Sequence, residues 1–289
     1  MTVVITGAGG QLGSELCRLF GAAAVGLHRA ELDITRADDV RTVLARLAPR
    51  VVINTAAYTS VDKAEAEVDA CRAVNATAVR NLADACREIG CRLVQISTDY
   101  VFGGDQGRRT PYRENDPPDP QGVYAQTKVE GERYAAVWQH HTIVRTCGLY
   151  GPPALGKPAN NFVDTMLRLG RERPLLRVVD DQQCTPSYVP HVARALVFLV
   201  ETPSDGVYHV VDSGETTWYG LAGEIFRLAG MEVTLERITT AQYGAAAPRP
   251  AYSVLDTSKY QALGGPAMPS WQEALAEYLR LHGYCSGGQ

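Results

Sequence analysis

A glycine-rich turn at the start of the chain constrains the fold more than any other feature. Residues 3–6 read Val-Val-Ile-Thr, as a buried strand does, and Gly7, Gly10 and Gly13 follow at three-residue spacing. Glycine adopts backbone conformations that other residues avoid and lets a ligand approach the main chain closely. A strand that turns through glycines into a helix N-terminus commonly binds a dinucleotide pyrophosphate. The pattern therefore predicts a Rossmann-type βαβ unit.

Short apolar runs bounded by turn residues alternate with helical stretches through the first half of the chain. The runs are residues 3–5, 25–27, 51–53, 93–96 and 143–144. Such alternation predicts a doubly wound parallel sheet with helices on both faces. After residue 151 the pattern loosens, with predicted helices at 161–171, 189–200, 218–228 and 271–281 and a strand at 207–211. These segments predict a smaller C-terminal part.

A tyrosine and a lysine are placed for acid–base chemistry. Tyr124 and Lys128 are four residues apart in a predicted helix, so their side chains share one face. A free tyrosine has a pKa of about 10, and we expect the neighbouring ammonium to lower the pKa of Tyr124. Thr98 ends the strand 93–97, where ligands of open parallel sheets bind. An exposed helix face is the alternative, but the three motifs in this order predict a hydride-transfer site.

These motifs resemble those of the extended short-chain dehydrogenase/reductases and, within them, the dTDP-4-dehydrorhamnose reductase family. The most specific match is Ser97-Thr98-Asp99-Tyr100-Val101-Phe102, and further matches lie at 54–58, 61–65 and 123–128. The resemblance implies a Rossmann domain of residues 1–150 with 186–212, and a substrate-binding cap of 151–185 with 213–289. It also implies reduction of a nucleotide-linked 4-keto-6-deoxyhexose, foremost dTDP-4-dehydrorhamnose to dTDP-L-rhamnose, with Tyr124 as proton donor.

The expected cofactor contacts come from the glycine turn, the second and third strands, and the catalytic pair. They are Gly7, Gly10, Gln11, Leu12, Gly13, His28, Arg29, Asp33, Ile34, Ala56, Ala57, Tyr58, Tyr124 and Lys128. His28 and Arg29 stand where NAD-preferring sites usually carry an acidic residue, and an arginine there can accept a 2′-phosphate. We therefore predict NADP(H), while use of NAD(H) as well stays open.

The expected substrate contacts are Thr98, Tyr100, Tyr124, Asn161 and Arg249. Thr98, Tyr124 and Lys128 are the predicted catalytic residues. Asn161 and Arg249 are candidates for the nucleotide diphosphate, because a guanidinium binds phosphate bidentately. An ordinary loop arginine is the alternative for Arg249.

Two further features bear on the substrate pocket. Relatives typically read Arg-Thr-Ser-Trp where this chain has Arg145-Thr146-Cys147-Gly148. Loss of a tryptophan that would line the sugar pocket predicts a roomier or differently shaped pocket, and it leaves the hexose open. The Pro- and Gly-rich loop 103–122 is expected to frame the substrate mouth, with a plain surface loop as the alternative.

Charge and composition restrict the partners. A formal net charge of −4 disfavours nucleic acid and anionic membranes as partners. The chain shows no leader and no apolar run near the roughly 20 residues that span a bilayer, which predicts a cytoplasmic protein. Seven cysteines without a C-x-x-C motif predict free thiols.

Several questions stay open at this level. Some relatives form metal-bridged dimers, and Glu15 lies where one ligand could sit, but the neighbours of Pro190 supply no obvious partner. We predict no metal, and a monomer or a homodimer. The alternative functions are a 4-ketoreductase for another nucleotide-linked deoxysugar, and a non-catalytic dinucleotide-binding regulatory subunit like that of methionine adenosyltransferase.

Overall fold

The computed structural model describes residues 2–153 and 161–284. The strands are β1 (Val3–Thr6), β2 (Ala24–Leu27), β3 (Val51–Asn54), β4 (Arg92–Thr98), β5 (His141–Thr146), β6 (Leu149–Tyr150), β7 (Leu175–Val179), β8 (Gln183–Cys184), β9 (Ser187–Tyr188), β10 (Gly206–His209), β11 (Thr216–Thr217) and β12 (Thr234–Ile238). The helices are α1 (Gln11–Phe20), α2 (Ala37–Leu47), α3 (Val61–Ala64), α4 (Val68–Arg72), α5 (Ala78–Ile89), α6 (Gly122–Ala135), α7 (Phe162–Glu172), α8 (Val189–Glu201), α9 (Trp218–Ala229), α10 (Thr240–Tyr243), α11 (Ser258–Ala262) and α12 (Trp271–Leu281), and a π-helical turn (Ala73–Thr77) joins α4 to α5.

The main domain is built on a six-stranded sheet in the order β10-β5-β4-β3-β1-β2. Every pair of neighbours in it is parallel. The five apolar runs of the first half form β1 to β5. The strands β1, β3, β4 and β5 are largely buried because helices cover both faces, while the edge strand β2 is only partly buried. The predicted Rossmann-type doubly wound sheet is confirmed.

One hydrophobic cluster fills each face of this sheet. On one face Leu16 of α1 and Leu196 of α8 pack against the strands, and on the other Leu44 of α2 and Leu82 of α5 do so. In α8 the buried residues include 192, 195, 196 and 199, the spacing that places side chains on one helical face. Apolar periodicity therefore determined which helices cover the sheet.

A third cluster forms the smaller part. The helices α7, α9 and α12 pack around the parallel pair β7–β12, and the rings of Tyr150, Tyr188 and Tyr278 contact one another. The predicted helices at 161–171, 218–228 and 271–281 match α7, α9 and α12 within one residue at each end. Tyr260 of α11 packs in the main-domain cluster that contains α8. The predicted division of the chain at residue 213 stays a prediction.

A buried ion pair joins α6 to β5 beneath the cleft. Arg145 Nε donates to Glu132 Oε1 at 2.9 Å and Arg145 Nη2 donates to Glu132 Oε2 at 2.8 Å. The two side chains are 3% and 7% exposed. Removing one charge leaves the other buried without its partner, which costs far more than breaking a surface pair.

We expect Glu132→Gln to lower the free energy of unfolding by about 3–5 kcal/mol. Glu224→Gln is the matched control, because it removes the partner of Arg227 from an exposed pair within one helix and is expected to cost under about 1 kcal/mol. Urea denaturation measures both. Equal losses in the two variants would contradict a structural role for the buried pair.

Candidate active site

A large cleft opens at the carboxyl ends of the central strands. In the sheet, β2 lies on one side of β1, and β3 lies on the other side. The gap at the carboxyl ends of β1 and β3 is therefore a topological switch point. Ligands of open α/β sheets bind at such points. The cleft has a volume of about 950 Å³, toward the large end for small-molecule sites.

Nearly all the predicted site residues line this cleft. They are Gly7, Gly10, Gln11, Leu12, Gly13, His28, Arg29, Asp33, Ile34, Ala56, Ala57, Tyr58, Thr98, Tyr100, Tyr124 and Lys128. Asn161 and Arg249 are not among the lining residues. The structure therefore brings every predicted cofactor residue together, and three of the five predicted substrate residues with them.

The glycine turn lies directly against the residues that follow β3. Gly7 has a φ of +71°, and a Cβ there would lie 2.6 Å from the backbone nitrogen of Ala56. A Cβ on Gly13 would collide with the carbonyl oxygen of Gly7. No side chain caps the first turn of α1, so its N-terminal amides can bind an anion. The turn fits a pyrophosphate, and larger residues at Gly7 or Gly13 would close it.

Beyond β2, a positive charge stands at the far end of the cleft. The Arg29 side chain is 83% exposed, and its Nη2 lies 3.6 Å from Asp33 Oδ2. Hydrogen bonds from the side chain and the backbone of Thr35 lower the pKa of Asp33, so Asp33 stays ionised. The backbone nitrogen of His28 donates to Glu31 at 2.8 Å. Arg29 therefore presents an exposed guanidinium at this end of the cleft, held by an ion pair with Asp33.

At the opposite end, Thr98 and Tyr124 meet beside Tyr100. The Thr98 hydroxyl donates to Asp99 Oδ1 at 3.0 Å and accepts from the Tyr100 backbone nitrogen at 3.2 Å. The rings of Tyr100 and Tyr124 form an edge-to-face pair with centroids 5.9 Å apart. Burial raises the pKa of Tyr124, and a hydrogen bond with the Thr98 side chain opposes that shift.

The net pKa shift of Tyr124 is opposite to the lowering that we expected. Lys128 Nζ donates to the carbonyl oxygen of Ile96 at 2.6 Å, and burial lowers the pKa of Lys128 to about 8. Burial therefore governs both groups, and the pKa of Tyr124 rises instead of falling. A raised pKa keeps Tyr124 protonated at neutral pH, which is the state that a proton donor needs.

Asn161 has a local structural role. Its Oδ1 accepts from the Asp164 backbone nitrogen at 3.0 Å, which caps α7. Its Nδ2 donates to the carbonyl of Gly151 at 3.2 Å and to Asp164 Oδ2 at 2.6 Å. These bonds use both donors and the oxygen of the amide, so the fold accounts for Asn161 without a ligand.

Arg249 is held by a carboxylate near the substrate end. Its Nη2 lies 2.8 Å from Asp62 Oδ2 and its Nη1 lies 3.1 Å from Asp62 Oδ1. The positive charge of Arg249 opposes the burial that raises the pKa of Tyr100, so Arg249 lies close enough to act on that ring. Arg249 is thus fixed beside the cleft with its charge already paired.

An indole borders the space beside Gly148. Gly148 has a φ of +53°, and a Cβ there would lie 3.2 Å from Pro186 Cα and 3.5 Å from Trp218 Cη2. Trp218 also lines the cleft, and its Nε1 donates to Gln182 Oε1 at 3.1 Å. The roomier or differently shaped pocket stays a prediction. No local sequence pattern around Trp218 showed that its side chain would line the cleft.

The loop between Thr98 and Tyr124 does not frame the cleft, contrary to prediction. None of residues 103–121, all of them described, is among the lining residues. Tyr112 stacks on Phe102 with centroids 4.1 Å apart. Its backbone nitrogen donates to Val254 and its carbonyl accepts from Asp256. Pairing with this C-terminal segment holds the loop away from the cleft.

Glu15, the candidate metal ligand, is engaged in an ion pair. Glu15 forms an ion pair with Arg18 at 2.6 Å. Within residues 2–153 and 161–284, no three His, Cys, Asp or Glu side chains are grouped so as to hold a metal ion.

Over the same residues no helix has the length and apolar character to cross a membrane. Six cysteines are free thiols, and Cys285 lies outside the described residues.

Comparison with known proteins identifies the family. Residues 1–282 match the family described as RmlD substrate binding domain. A dTDP-4-dehydrorhamnose reductase from Streptomyces griseus is 44% identical over 285 residues, covering 95% of this chain and 91% of that protein. A probable dTDP-4,6-dihydroxy-2-methyloxan-3-one 4-ketoreductase from Streptomyces antibioticus is 38% identical over 286 residues, covering 96% and 94%.

A solved structure extends the comparison to three dimensions. The dTDP-4-dehydrorhamnose reductase from Bacillus anthracis, solved in complex with NADP, superposes with a TM-score of 0.91 at 39% identity. The match covers 97% of this chain and all of that one. The fold and the motifs agree with the predicted resemblance over nearly the whole length of the chain. The chain belongs to the RmlD substrate binding domain family.

Proposed function

We propose that this chain is an NADPH-dependent reductase of a dTDP-4-keto-6-deoxy-L-hexose, converting dTDP-4-dehydrorhamnose to dTDP-L-rhamnose. The observation that carries the proposal is the convergence of Thr98, Tyr124 and Lys128 in one cleft with the glycine turn. The names of the S. griseus and B. anthracis relatives support the sugar, and the latter's complex supports the cofactor.

Each residue of the catalytic group has a distinct role in this reaction. The nicotinamide, when bound, supplies the hydride. Tyr124 donates its proton to the alkoxide that develops on the sugar, and its raised pKa keeps that proton in place until then. Thr98 orients the sugar oxygen beside Tyr124. Lys128, whose Nζ is fixed on the Ile96 carbonyl, presents its other N–H groups to the ribose hydroxyls.

Two alternative functions differ in what the site would have to do. The S. antibioticus relative and the indole beside Gly148 favour, as the second candidate, 4-keto reduction of another nucleotide-linked deoxysugar. A regulatory subunit that only binds a dinucleotide would have no need for Thr98, Tyr124 and Lys128 in one cleft. The complete catalytic group argues for an enzyme.

Location and assembly belong to the same proposal. Free thiols suit the reducing cytoplasm, where we place the protein. A monomer or homodimer with a nucleotide-sugar substrate completes the proposal, with no metal, nucleic acid or membrane partner.

The direct test is an assay with NADPH and dTDP-4-dehydrorhamnose (dTDP-4-keto-6-deoxy-L-mannose), using the unaltered chain and the Tyr124→Phe variant. We expect the variant to lose about 100-fold or more in kcat, because the proton donor alone is removed, while NADPH binding is retained. Tyr134→Phe, on the same helix outside the cleft, is the control.

Each failure of this assay has its own meaning. Near-normal turnover by Tyr124→Phe would remove Tyr124 from the mechanism. Turnover of another keto sugar alone would favour the second candidate, and no turnover of any sugar would favour the regulatory subunit.

Cofactor choice is tested at Arg29. We expect Arg29→Asp to weaken NADPH binding about 10- to 100-fold while NADH binding changes little, because a carboxylate repels the 2′-phosphate. Arg36→Asp makes the same charge change on an exposed arginine that does not line the cleft. Titrations with both cofactors measure the effect. Equal weakening of NADPH and NADH would show that Arg29 does not bind the 2′-phosphate.

The substrate pocket is tested at Trp218. Gly148→Trp would strain a positive-φ position beside Pro186, so Trp218→Leu is the more informative change. We expect it to raise KM for the sugar nucleotide about 10-fold through lost apolar contact, with NADPH affinity unchanged. Trp138→Leu alters an indole that packs against another hydrophobic cluster, does not line the cleft and serves as control. Unchanged KM for every sugar tested would place Trp218 outside the sugar pocket.

A further inference from the structure

A chain of side-chain hydrogen bonds crosses the carboxyl ends of β1, β3 and β4 and ends at Lys128. Thr6 Oγ1 donates to Asn54 Oδ1 at 2.6 Å, and Asn54 Nδ2 donates to Gln95 Oε1 at 2.7 Å. Gln95 Nε2 donates to the carbonyl oxygen of Ile96 at 2.7 Å. Lys128 Nζ donates to that same oxygen at 2.6 Å. One carbonyl therefore accepts from both Gln95 and Lys128.

The orientation of the two side-chain amides in this series of hydrogen bonds follows from their other partners. Asn54 Oδ1 also accepts from the backbone nitrogen of Ala56 at 3.2 Å, so the oxygen faces two donors. The amide nitrogen of Asn54 then faces Gln95, which makes Gln95 Oε1 the acceptor and Gln95 Nε2 the donor to Ile96. Each amide has one orientation that satisfies all its neighbours.

Burial makes these bonds hard to replace with water. The side chains of Thr6, Asn54, Gln95 and Lys128 are each at most 4% exposed. A buried donor or acceptor that loses its partner costs more free energy than an exposed one. The β3–β4 pairing ends at Asn54 and Gln95, so Ile96 lies one residue beyond it, where it lines the cleft.

We propose that Gln95 is a positioning residue for the reduction. Gln95 and Lys128 both donate to the Ile96 carbonyl oxygen. Gln95 therefore determines the direction in which the Lys128 ammonium points and how strongly that oxygen can accept from the ammonium. Through Asn54 it also ties Lys128 to Thr6, the residue that precedes the glycine turn. Gln95 does not line the cleft, so it acts only through its neighbours. The role in reduction rests on the function proposed above.

The sharing has a measurable consequence for Lys128. If the Gln95 amide no longer donates, the Ile96 oxygen accepts from the Lys128 ammonium alone, which favours the charged form of Lys128. A carboxylate in place of the Gln95 amide favours the charged form further, because it lies across the same oxygen from Lys128. Both changes should therefore raise the pKa of Lys128 above its value of about 8.

The test follows Lys128 directly, by NMR titration of protein labelled at its four lysines, residues 63, 128, 157 and 259. We expect Gln95→Glu to raise the pKa of Lys128 by about one unit or more, and Gln95→Met to raise it by less. We also expect Gln95→Met to lower kcat about 10-fold through loss of alignment, with KM for the sugar unchanged. Each variant keeps nearly the volume of glutamine.

Thr142→Val is the matched control, because it removes a buried hydroxyl from β5, far from the cleft, that donates to the Ser204 carbonyl. It should lower stability and leave the Lys128 titration unchanged. An unchanged Lys128 pKa in the folded Gln95 variants, or the same shift in Thr142→Val, would overturn the proposal. If one Gln95 variant does not fold, the titration of the other decides. The titration requires neither cofactor nor sugar, so its outcome is independent of the proposed function.

Discussion

The close approach of the glycine turn to the residues after β3 is the constraint on which the rest of the site depends. Gly7 and Gly13 leave no room for a Cβ, because Ala56 and the Gly7 carbonyl occupy that space. This contact brings the start of α1 close to the residues that follow β3, and both segments line the cleft. The predicted catalytic residues Thr98, Tyr124 and Lys128 line the cleft from β4 and α6, beyond β3 from the glycine turn. A larger residue in the turn would disturb every distance that the proposed reaction needs.

Burial is the dominant electrostatic effect at the reacting end. It raises the pKa of Tyr124 and lowers the pKa of Lys128 to about 8. The opposite shifts have one cause, since burial disfavours the phenolate and the ammonium alike. Tyr124 thereby holds its proton at neutral pH. The backbone carbonyl of Ile96, shared with Gln95, then gives Lys128 a fixed partner within a site of low polarity.

Local sequence patterns predicted the strands, the helices and the site motifs. Contacts between segments that are far apart in the sequence were not predicted. Apolar periodicity placed the sheet and its helices, and short motifs placed Thr98, Tyr124 and Lys128 at its carboxyl edge. The pairing of Arg249 with Asp62 joins residues far apart in the chain, and no pattern within either segment announces it. Trp218 enters the cleft for a similar reason, through packing of the cap. The role of Asn161 was readable, because Asp164 follows it at the spacing of a helix cap.

The central claim is that the cleft aligns a nicotinamide with a keto sugar so that Tyr124 can protonate the product. Transfer of a label tests it most directly. The purified chain would be given dTDP-4-dehydrorhamnose and NADPH carrying deuterium at both hydrogen positions of the nicotinamide C4, and the product examined by NMR and mass spectrometry. The account predicts one deuterium on the sugar C4, and formation of this labelled product about 100-fold more slowly when Tyr124 is replaced by Phe. A reduced sugar without deuterium at C4, or an unchanged rate of labelling by the Tyr124→Phe variant, would contradict it.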